Sequence, residues 1–570
     1  MMLVPQRFSK CFPVLAALVL VIFLLTASRL HNGIPIPKSI LDIGGERPLP
    51  KALGVVELQD SLPSSKEAGT PVAGQATPEL GKCERPELRH LRRPQLGLTH
   101  SIVYTRRCIK PLRGRSDRDA VTNITLPLLT NKATINLAAC PRVDLGPCDY
   151  ISLQVPPPYP ERQYRHLIFG VASTYDRVRE SLPALAHWLS GTGAQLVAIV
   201  MDGDHLGANY NLTALEEEYR RWEVNATLLA PSMLKHTESL HGGDKGGGGG
   251  GEGENGSQQR KSIEQYHFLL VREMVAVATP ETRWLGVMDD DTFFPSLYTL
   301  DAELAQHDHT RPAWLGAMSD DFSSIRVWGI MAFGGAGAFL SLPLAREIEP
   351  LSEQCIREAL APATGDGILR DCIYANTRTK LSLVRGLHQH DLRGDASGFY
   401  ESGARPLSVH HWKSWYRAPL PQMAAATGVC GDCFLQRWRF GGDTLLANGY
   451  SIAQYGDGLA DTLDFARIEG TWESPDSHDY DFSYGPLRPR LTHRQKKSYR
   501  LVDVSVVVTE GASGERNRRA FRQVYVYRGS DSMLADEEEE EAEGGYDGAA
   551  GVETSKEPAM DEVVELLWDI

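Results

Sequence analysis

The sequence lacks an excess of basic residues, with 59 Lys and Arg against 73 Asp and Glu in 570 residues. A nucleic-acid-binding protein presents a basic face, so this balance argues against that class of partner. The net charge of -14 comes from the C-terminal end, where 15 acidic residues and one lysine follow position 530. The body of the chain is therefore close to neutral, and residues 531–570 are predicted to be an acidic, disordered tail.

Cysteine is also scarce, with nine residues, and no second closely spaced pair accompanies Cys430 and Cys433. A structural zinc site of this type needs two such pairs, so we interpret Cys430 and Cys433 as a short-loop disulfide. Eight cysteines lie outside the N-terminal apolar run, an even number that permits disulfides in an oxidising compartment. The connectivity stays open.

Long apolar runs are lacking apart from one near the N-terminus, which Arg7 and Lys10 precede. It is about as short as a spanning helix can be and longer than most cleavable signal cores. Basic residues on its N-terminal side predict that this end is cytoplasmic. We expect a cytoplasmic tail over 1–10, a signal-anchor transmembrane helix over 11–28 and a lumenal remainder, with a cleaved signal peptide as the rival. Four glycosylation sequons agree with a lumenal chain: Asn123, Asn211, Asn225 and Asn255.

The lumenal chain has room for more than one domain, since a single core usually stops growing at about 250–300 residues. Composition shifts mark the boundaries, because Pro, Gly and Ser dominate the stem and glycine the insert. The predicted units are a stem over 29–98, a small cysteine-containing segment over 99–160, a main domain over 161–460 with a disordered glycine-rich insert at 241–258, and a β-rich extension over 461–530.

The main domain has an alternating strand–helix pattern. Strand candidates begin at His166 and Gln195, with a helical stretch between them, and each ends near a polar residue, Thr174 or Asp202. This order is the βαβ pattern of a parallel sheet, so an α/β fold is predicted. Because strand ends carry sites in such sheets, Thr174 and Asp202 are candidates for contacting a nucleotide.

The central motif is the acidic triplet Asp289-Asp290-Asp291, which ends the apolar run Trp284–Met288. The short run has no helical spacing and reads as a buried strand. Three adjacent carboxylates cannot be buried unpaired, so they need water, basic partners or a cation. At the carboxyl end of a central strand a divalent cation is the natural partner. A surface acidic turn is the alternative.

Three weaker signals follow the triplet. The first is the small-residue cluster Gly334-Gly335-Ala336-Gly337, which permits close backbone approach to a ligand or simply tight packing. The second is Asp366, flanked by glycines between Cys355 and Cys372, a position more often occupied by a helix cap. The third is the pair His410-His411 beside two tryptophans, which favours a metal ligand next to a sugar-stacking surface.

Together these four motifs, in this order, resemble the Fringe-like glycosyltransferases of glycosyltransferase family 31, especially a fungal-type branch. The resemblance covers residues 165–455, about half the chain. It implies a GT-A (Rossmann-like) fold and an inverting transfer of a hexose or N-acetylhexosamine from a UDP-sugar to a glycan or glycoprotein hydroxyl, with β1,3 linkage. It also implies a divalent ion, usually Mn²⁺, and a Golgi membrane location as a single-pass type II protein.

The resemblance also implies roles for individual residues. Asp291 and Asp289 would bind the metal, with Asp290 and Asp289 near the nucleotide, and His411 would be the further metal ligand, with His410 as the alternative. Asp366 matches the catalytic base. The segment Gly334, Gly335, Ala336 and Gly337 would line the floor of the site with backbone amides.

One departure concerns the position before the base. Relatives generally place a second acid there, whereas this chain has Gly365. This departure supports one alternative, a catalytically inactive lumenal carbohydrate-binding protein on the same fold. A further alternative, a metal-dependent hydrolase, would use the acid cluster. The hydrolase would need a further carboxylate or histidine set for a nucleophilic water, and no set with clear spacing is visible.

Overall fold

The computed structural model of the protein describes residues 86–114, 116–139, 145, 148–205, 211–234, 261–359, 364–473, 477–509, 518–531 and 559–570. The predicted cytoplasmic tail, signal anchor and glycine-rich insert, most of the stem, and Asn255 lie outside these residues. Among the described residues, no helix combines the length and the apolar character needed to cross a membrane.

The described chain begins with two 3₁₀ helices, Pro86–Arg92 and Pro94–Leu96, followed by four strands and then by alternating strands and helices. The first strands are β1 Ser101–Arg113, β2 Val121–Ile124, β3 Ala133–Asn136 and β4 Tyr150–Val155. The next elements are β5 Leu167–Ser173, α1 Tyr175–Leu189, β6 Gln195–Val200, α2 Leu212–Arg221, β7 Asn225–Leu229, α3 Ile263–Val277, β8 Trp284–Met288, α4 Leu297–Leu304, β9 Trp314–Gly316, α5 Phe322–Trp328, β10 Ala338–Ser341, α6 Leu342–Ile348, α7 Ser352–Glu358 and α8 Gly365–Asn376.

The remaining elements are short helices and a long run of strands. They are β11 Leu381–Leu383, β12 Arg393–Gly394, α9 Ser397–Glu401, α10 Leu420–Ala424, α11 Thr427–Cys430, β13 Arg437–Phe440, β14 Thr444–Ala447, β15 Ser451–Tyr455, β16 Trp472–Glu473, α12 Asp481–Tyr484, β17 Lys496–Thr509, β18 Arg518–Tyr527 and β19 Asp561–Asp569.

A seven-stranded sheet has the order β11-β9-β10-β8-β5-β6-β7. The four strands β8, β5, β6 and β7 pair in parallel with one another in that order. Strand β10 is antiparallel to both β8 and β9. All side chains of β5 and β8 are buried, which explains their uninterrupted apolar sequences. The predicted mixed α/β fold is confirmed, and its strand order reverses between β5 and β8, where such sheets form a ligand crevice.

Helix α3 covers one face of this sheet and brings its N-terminal turns towards the crevice. A Ser262 N-cap, reciprocated by Gln265, fixes its start. Its close approach to β5 depends on Gly170, where a Cβ would lie 2.9 Å from the Met274 sulfur. The helix therefore has a fixed position directly above the strands that end in the site.

A second, ten-stranded sheet has the order β2-β13-β14-β15-β17-β18-β19-β1-β3, with β4 paired to β1. It joins strands from four predicted units, since β1–β4 precede the main domain, β13–β15 lie within it, β17 and β18 lie in the extension and β19 lies in the tail. The predicted β-rich extension is therefore one part of a larger sheet, and the boundary at 460/461 separates two hydrogen-bonded strands, β15 and β17.

Strand β19 corrects the prediction of a disordered tail over 531–570. It lies between β1 and β18 and is hydrogen-bonded to both. Val563, Leu566 and Trp568 are buried in it. The acidic composition of the tail concealed this strand, because composition averages over a region whereas a strand needs only a few correctly placed apolar residues. Residues 532–558 lie outside the described residues.

Three disulfides are present in the described residues, between Cys108 and Cys148, Cys355 and Cys372, and Cys430 and Cys433. The last confirms the interpretation of the short cysteine pair. The second fastens α7 to α8, the helix that contains Asp366.

Candidate active site

The acidic triplet follows the last residue of β8 directly, at the reversal point of the seven-stranded sheet. Strand β5 runs parallel beside β8 and ends at Ser173, whose hydroxyl donates to the Asp290 carboxylate. Thr174 and Asp202 follow β5 and β6, so they lie at the same edge of the sheet. The three strand ends predicted to form a site therefore do meet.

Asp290 is held away from the other two acids. Its carboxylate accepts hydrogen bonds from the Arg177 guanidinium, through Nε at 2.5 Å and through Nη2. Ser181 on the same helix donates to the Asp290 backbone oxygen at 2.9 Å. Arg177 neutralises this carboxylate, and the pair fastens α1 to the end of β8. A contact between Asp290 and a nucleotide stays a prediction.

Asp291 forms a compact donor set with two histidines. One ligand atom from each of Asp291, His410 and His411 lies within 4.8 Å of the other two. The closest approach is 2.8 Å between His410 Nε2 and Asp291 Oδ1. Two imidazoles and a carboxylate suit a first-row divalent cation. The residues therefore fit the metal that the sequence predicted, and both histidines face it.

The electrostatics of His410 point to the same conclusion. Burial lowers the pKa of His410, but the Asp289 and Asp291 carboxylates outweigh it and raise the pKa to about 10. His410 Nδ1 is 3.2 Å from the Gln389 carbonyl oxygen, which directs Nε2 towards the acids. The two carboxylates thus favour positive charge here, which protonated His410 or a divalent cation bound by neutral His410 would supply.

His411 is fixed from two sides. Its Nε2 lies 3.2 Å from Asp391 Oδ1, and its ring stacks on Trp415 with centroids 4.0 Å apart. His411 has a backbone φ of 58°, in the left-handed region, so its side chain leaves the backbone in a different direction from that of His410. Because Arg393 also lies over the Trp415 ring, at 4.2 Å, that tryptophan supports His411 and is not a free sugar-stacking surface.

Trp412, the other tryptophan of this segment, is part of the core. It is buried, and its indole Nε1 donates to the Asp291 backbone oxygen at 2.7 Å. Its ring packs against Phe293 at a centroid distance of 5.9 Å. Trp412 thereby joins the histidine segment to the acidic triplet.

Asp366 lies in the first turn of α8 and faces the same crevice. Its Oδ2 accepts the Gly334 amide hydrogen at 2.8 Å. Its Oδ1 is buried without a hydrogen-bond partner among the described residues. Burial, together with the charge of Asp289 and against the attraction of His267, raises the pKa of Asp366 to about 6. Asp366 is therefore an oriented carboxylate with one oxygen that has no hydrogen-bond partner among the described residues.

The small-residue segment shapes the site rather than offering amides to a ligand. The amides of Gly334, Ala336 and Gly337 already donate to Asp366, Phe333 and Gly334, respectively. A Cβ at Gly335 would lie 2.2 Å from His410 Nδ1. The expectation of an amide-lined floor is therefore wrong for these three amides, and the lack of side chains is what matters.

Thr174 and Asp202 have different local roles. Thr174 is the N-cap of α1, without a side-chain cap hydrogen bond. Asp202 accepts the Tyr175 amide hydrogen at 2.8 Å, which fixes the loop after β6 to the start of α1. Their contact with a nucleotide stays a prediction.

His267 was not identified from the sequence. It lies on α3, 9% exposed, with Nε2 3.3 Å from Asp289 Oδ1 and Nδ1 3.8 Å from Asp366 Oδ1. Burial lowers the pKa of His267, but Asp289 and Asp366 outweigh it and raise the pKa above its ordinary value. The available signal was a histidine between Tyr266 and Phe268 on a buried helical face, where a polar residue needs a partner.

Residues 326–429 match a family model described as a protein of unknown function, DUF604. The matched segment includes Gly334–Gly337, Asp366, His410 and His411. No curated protein matches the sequence.

Several solved structures are similar to this chain at a low level. Mouse xyloside xylosyltransferase 1 is 11% identical, with 45% of this chain and 94% of that chain covered and a TM-score of 0.25. The 4-diphosphocytidyl-2C-methyl-D-erythritol synthase of Anaerococcus prevotii is 9% identical (39% and 87% covered, TM-score 0.21). An active-site mutant of LgtC is 9% identical (45% and 81% covered, TM-score 0.24). At these TM-scores the likeness supports no argument about fold or activity.

Proposed function

We propose that the protein is an inverting, metal-dependent glycosyltransferase that moves a hexose or N-acetylhexosamine from a UDP-sugar to a hydroxyl of a glycan or glycoprotein, in β1,3 linkage. The observation that supports this most directly is the shared crevice of Asp366 and Asp291, which are 75 positions apart. A continuous line of contacts joins them: Asp366 to His267 at 3.8 Å, His267 to Asp289 at 3.3 Å, Asp289 to His410 at 3.3 Å and His410 to Asp291 at 2.8 Å.

Asp366 is the general base of the proposed reaction. Its Oδ1, which has no hydrogen-bond partner among the described residues, accepts the proton of the acceptor hydroxyl while the hydroxyl oxygen bonds to the anomeric carbon of the donor sugar. The bond between the anomeric carbon and the diphosphate oxygen breaks on the opposite face, so the configuration inverts. The Gly334 amide keeps Oδ2 engaged, which leaves Oδ1 as the oxygen that can take up the proton.

Asp291, His410 and His411 hold the donor end of the crevice. A divalent cation bound there supplies positive charge to the diphosphate leaving group. Trp412 fixes Asp291 through the backbone, and Asp391 and Trp415 fix His411. The chain thus preorganises the ligands, which minimises reorganisation during transfer.

The base assignment is tested with Asp366→Asn, which preserves shape but removes the proton acceptor. We expect kcat to fall about 10²–10⁴-fold while the affinity for UDP and Mn²⁺ is retained. UDP release with UDP-galactose, UDP-N-acetylglucosamine and UDP-glucose measures this. Asp371→Asn is the matched control, since Asp371 is on the same helix and pairs with Arg370. Near-normal transfer by Asp366→Asn eliminates the role.

The metal assignment is tested with Asp291→Ala. We expect the variant to lose Mn²⁺-dependent UDP binding in a calorimetric titration, because the carboxylate of the donor set is gone. Asp308→Ala, in an exposed loop, is the control and should bind as the wild type does. Unchanged UDP binding by Asp291→Ala would place the cation elsewhere.

An inactive nucleotide-sugar-binding protein is the alternative, and Gly365 is the observation that favours it. That alternative predicts UDP binding without UDP release for every donor and acceptor. The same UDP-release assay, with and without Mn²⁺, separates the two functions.

For the location we propose a single-pass type II Golgi membrane protein with its catalytic part in the lumen. The three disulfides support an oxidising compartment. Asn123 and Asn225 are exposed, as glycan acceptors must be. We expect glycosidase treatment to lower the mass of the wild type. The decrease should be smaller for the double variant Asn123→Gln, Asn225→Gln.

A further inference from the structure

His267 is enclosed between the two carboxylates that the proposed reaction needs. Its ring nitrogens face Asp289 Oδ1 and Asp366 Oδ1, at 3.3 Å and 3.8 Å. Within the described part of the chain, neither nitrogen has a hydrogen bond to any other group. Burying a polar side chain costs free energy unless neighbouring groups compensate for the lost water. For the His267 ring, the Asp289 and Asp366 carboxylates are placed to do so.

Two glycines on separate elements create the space for this ring. A Cβ at Gly365 would lie 2.4 Å from His267 Nδ1. A Cβ at Gly334 would lie 3.1 Å from both Cε1 and Nε2 of the same ring and 2.7 Å from Asp366 Oδ1. Neither position has a positive φ that would itself require glycine. The glycines are therefore explained by the imidazole, and His267 occupies the space that a side chain at 365 would fill.

The position of the ring has a consequence for the geometry of transfer. Asp289 contacts His410 of the proposed metal site, and Asp366, held by the Gly334 amide, is the proposed base for the acceptor hydroxyl. The two carboxylates repel each other. The His267 ring, as a hydrogen-bond donor placed between them, offsets that repulsion and keeps their separation constant. A misplacement of about 1 Å in such an arrangement can cost about 10²-fold in rate.

We propose that His267 is a positioning residue that holds the Asp366 carboxylate at a fixed distance from the donor end of the site. This inference rests on the proposed function. His267 makes no bond to the reacting atoms; it acts through Asp366 and Asp289. Its loss should therefore reduce the rate of transfer far more than the binding of the donor.

The first test replaces His267 with leucine, which has a similar volume but no ring nitrogen. We expect kcat to fall on the order of 10²-fold, while KM for the UDP-sugar and the Kd for UDP with Mn²⁺ change by no more than about threefold. His267→Gln, which restores an N–H donor, should recover part of kcat. His90→Leu is the control for losing a buried histidine, since His90 lies beside Glu565 in the ten-stranded sheet; it should lower the melting temperature without changing kcat.

The second test uses Gly365→Ala. In the wild-type background its Cβ displaces the His267 ring, so we expect a loss of kcat similar to that of His267→Leu. In a His267→Gly background both the ring and the His267 Cβ, which would lie 2.7 Å from the new Cβ, are absent. The same change should then have little further effect, a non-additivity that identifies the contact.

The outcomes are distinguishable from those of the proposed function. If wild type transfers sugar but His267→Leu keeps kcat within about twofold, the positioning role is overturned. It is also overturned if His90→Leu, at a similar loss of melting temperature, loses as much kcat as His267→Leu. Additive effects of Gly365→Ala and His267→Gly also overturn it. If wild type itself transfers no sugar, the proposed function is overturned and this inference with it.

Discussion

Glycines 334, 335 and 365 leave the space that the imidazoles of His267 and His410 occupy. From the sequence, the glycine cluster indicated either close approach to a ligand or tight packing, with no means of choosing. The structure favours packing, but the packed groups are the site's own side chains. Small residues next to a site therefore determine where its histidines can lie.

Gly335→Ala tests this dependence at the metal. Its Cβ would be 2.2 Å from His410 Nδ1, so the ring must move away from the Gln389 carbonyl oxygen and from Asp291. We expect Mn²⁺ affinity, measured through Mn²⁺-dependent UDP binding, to fall about 10–100-fold, as for the loss of groups that orient a metal ligand.

Gly456→Ala is the control for that experiment. A Cβ there has its nearest neighbour at 4.0 Å and the backbone has no positive φ, so binding should be unchanged. Wild-type affinity in Gly335→Ala would mean that His410 is not a ligand and that His411 acts without it.

At the scale of elements, helix α9 and strand β17 are joined by buried charges. Lys496 Nζ lies 3.2 Å from Glu401 Oε2 and 2.7 Å from Glu469 Oε2. Arg500 Nη1 lies 2.7 Å from Glu401 Oε1. Burial alone would raise the pKa of Glu401, but Lys496 and Arg500 outweigh it and lower the pKa to about 2.

This ion pair predicts a dependence of stability on acid. Because the pKa of Glu401 is depressed on folding, its contribution is fully present above its ordinary value of 4.5 and is lost as pH falls towards about 2. The whole contribution is on the order of 3 kcal/mol. Urea unfolding of wild type and Glu401→Gln between pH 6 and 3 measures it.

The difference between the two proteins in free energy of unfolding should shrink as the pH is lowered through this window. A constant difference at every pH would show that the Glu401 carboxyl is protonated, or equally ionised, in both states. Ser451 donates to Glu401 Oε1 at 2.8 Å. The side-chain oxygen of the glutamine in Glu401→Gln accepts the same hydrogen bond, so this bond does not affect the comparison.

At the scale of the whole molecule, the ten-stranded sheet unites both ends of the described chain. Strand β1 begins at Ser101, and its parallel partner β19 ends at Asp569. Trp568 is 1% exposed, donates from Nε1 to Gln523 Oε1 at 2.8 Å and packs near Trp438. The last strand is therefore a structural part of this sheet.

Trp568→Ala should destabilise the protein by roughly 3–5 kcal/mol, because a large buried side chain is lost and Gln523 loses its donor. Thermal and urea unfolding measure the effect. Asp569→Ala, on the same strand but partly exposed, should change the free energy of unfolding by less than about 0.5 kcal/mol. Equal effects of the two substitutions would contradict the central position of β19.

The sequence alone determined the strand–helix alternation of the main domain, the strand before the acidic triplet and the short disulfide between Cys430 and Cys433. These features are local, since apolar periodicity and residue spacing along a few turns or strands encode them. Only the tertiary structure decided which acid pairs with Arg177, that both His410 and His411 face Asp291, and that His267 separates Asp289 from Asp366. It also decided that β19 lies between β1 and β18 in the ten-stranded sheet. The reason is physical: a side chain's partners depend on contacts between residues far apart in sequence, which no local pattern records.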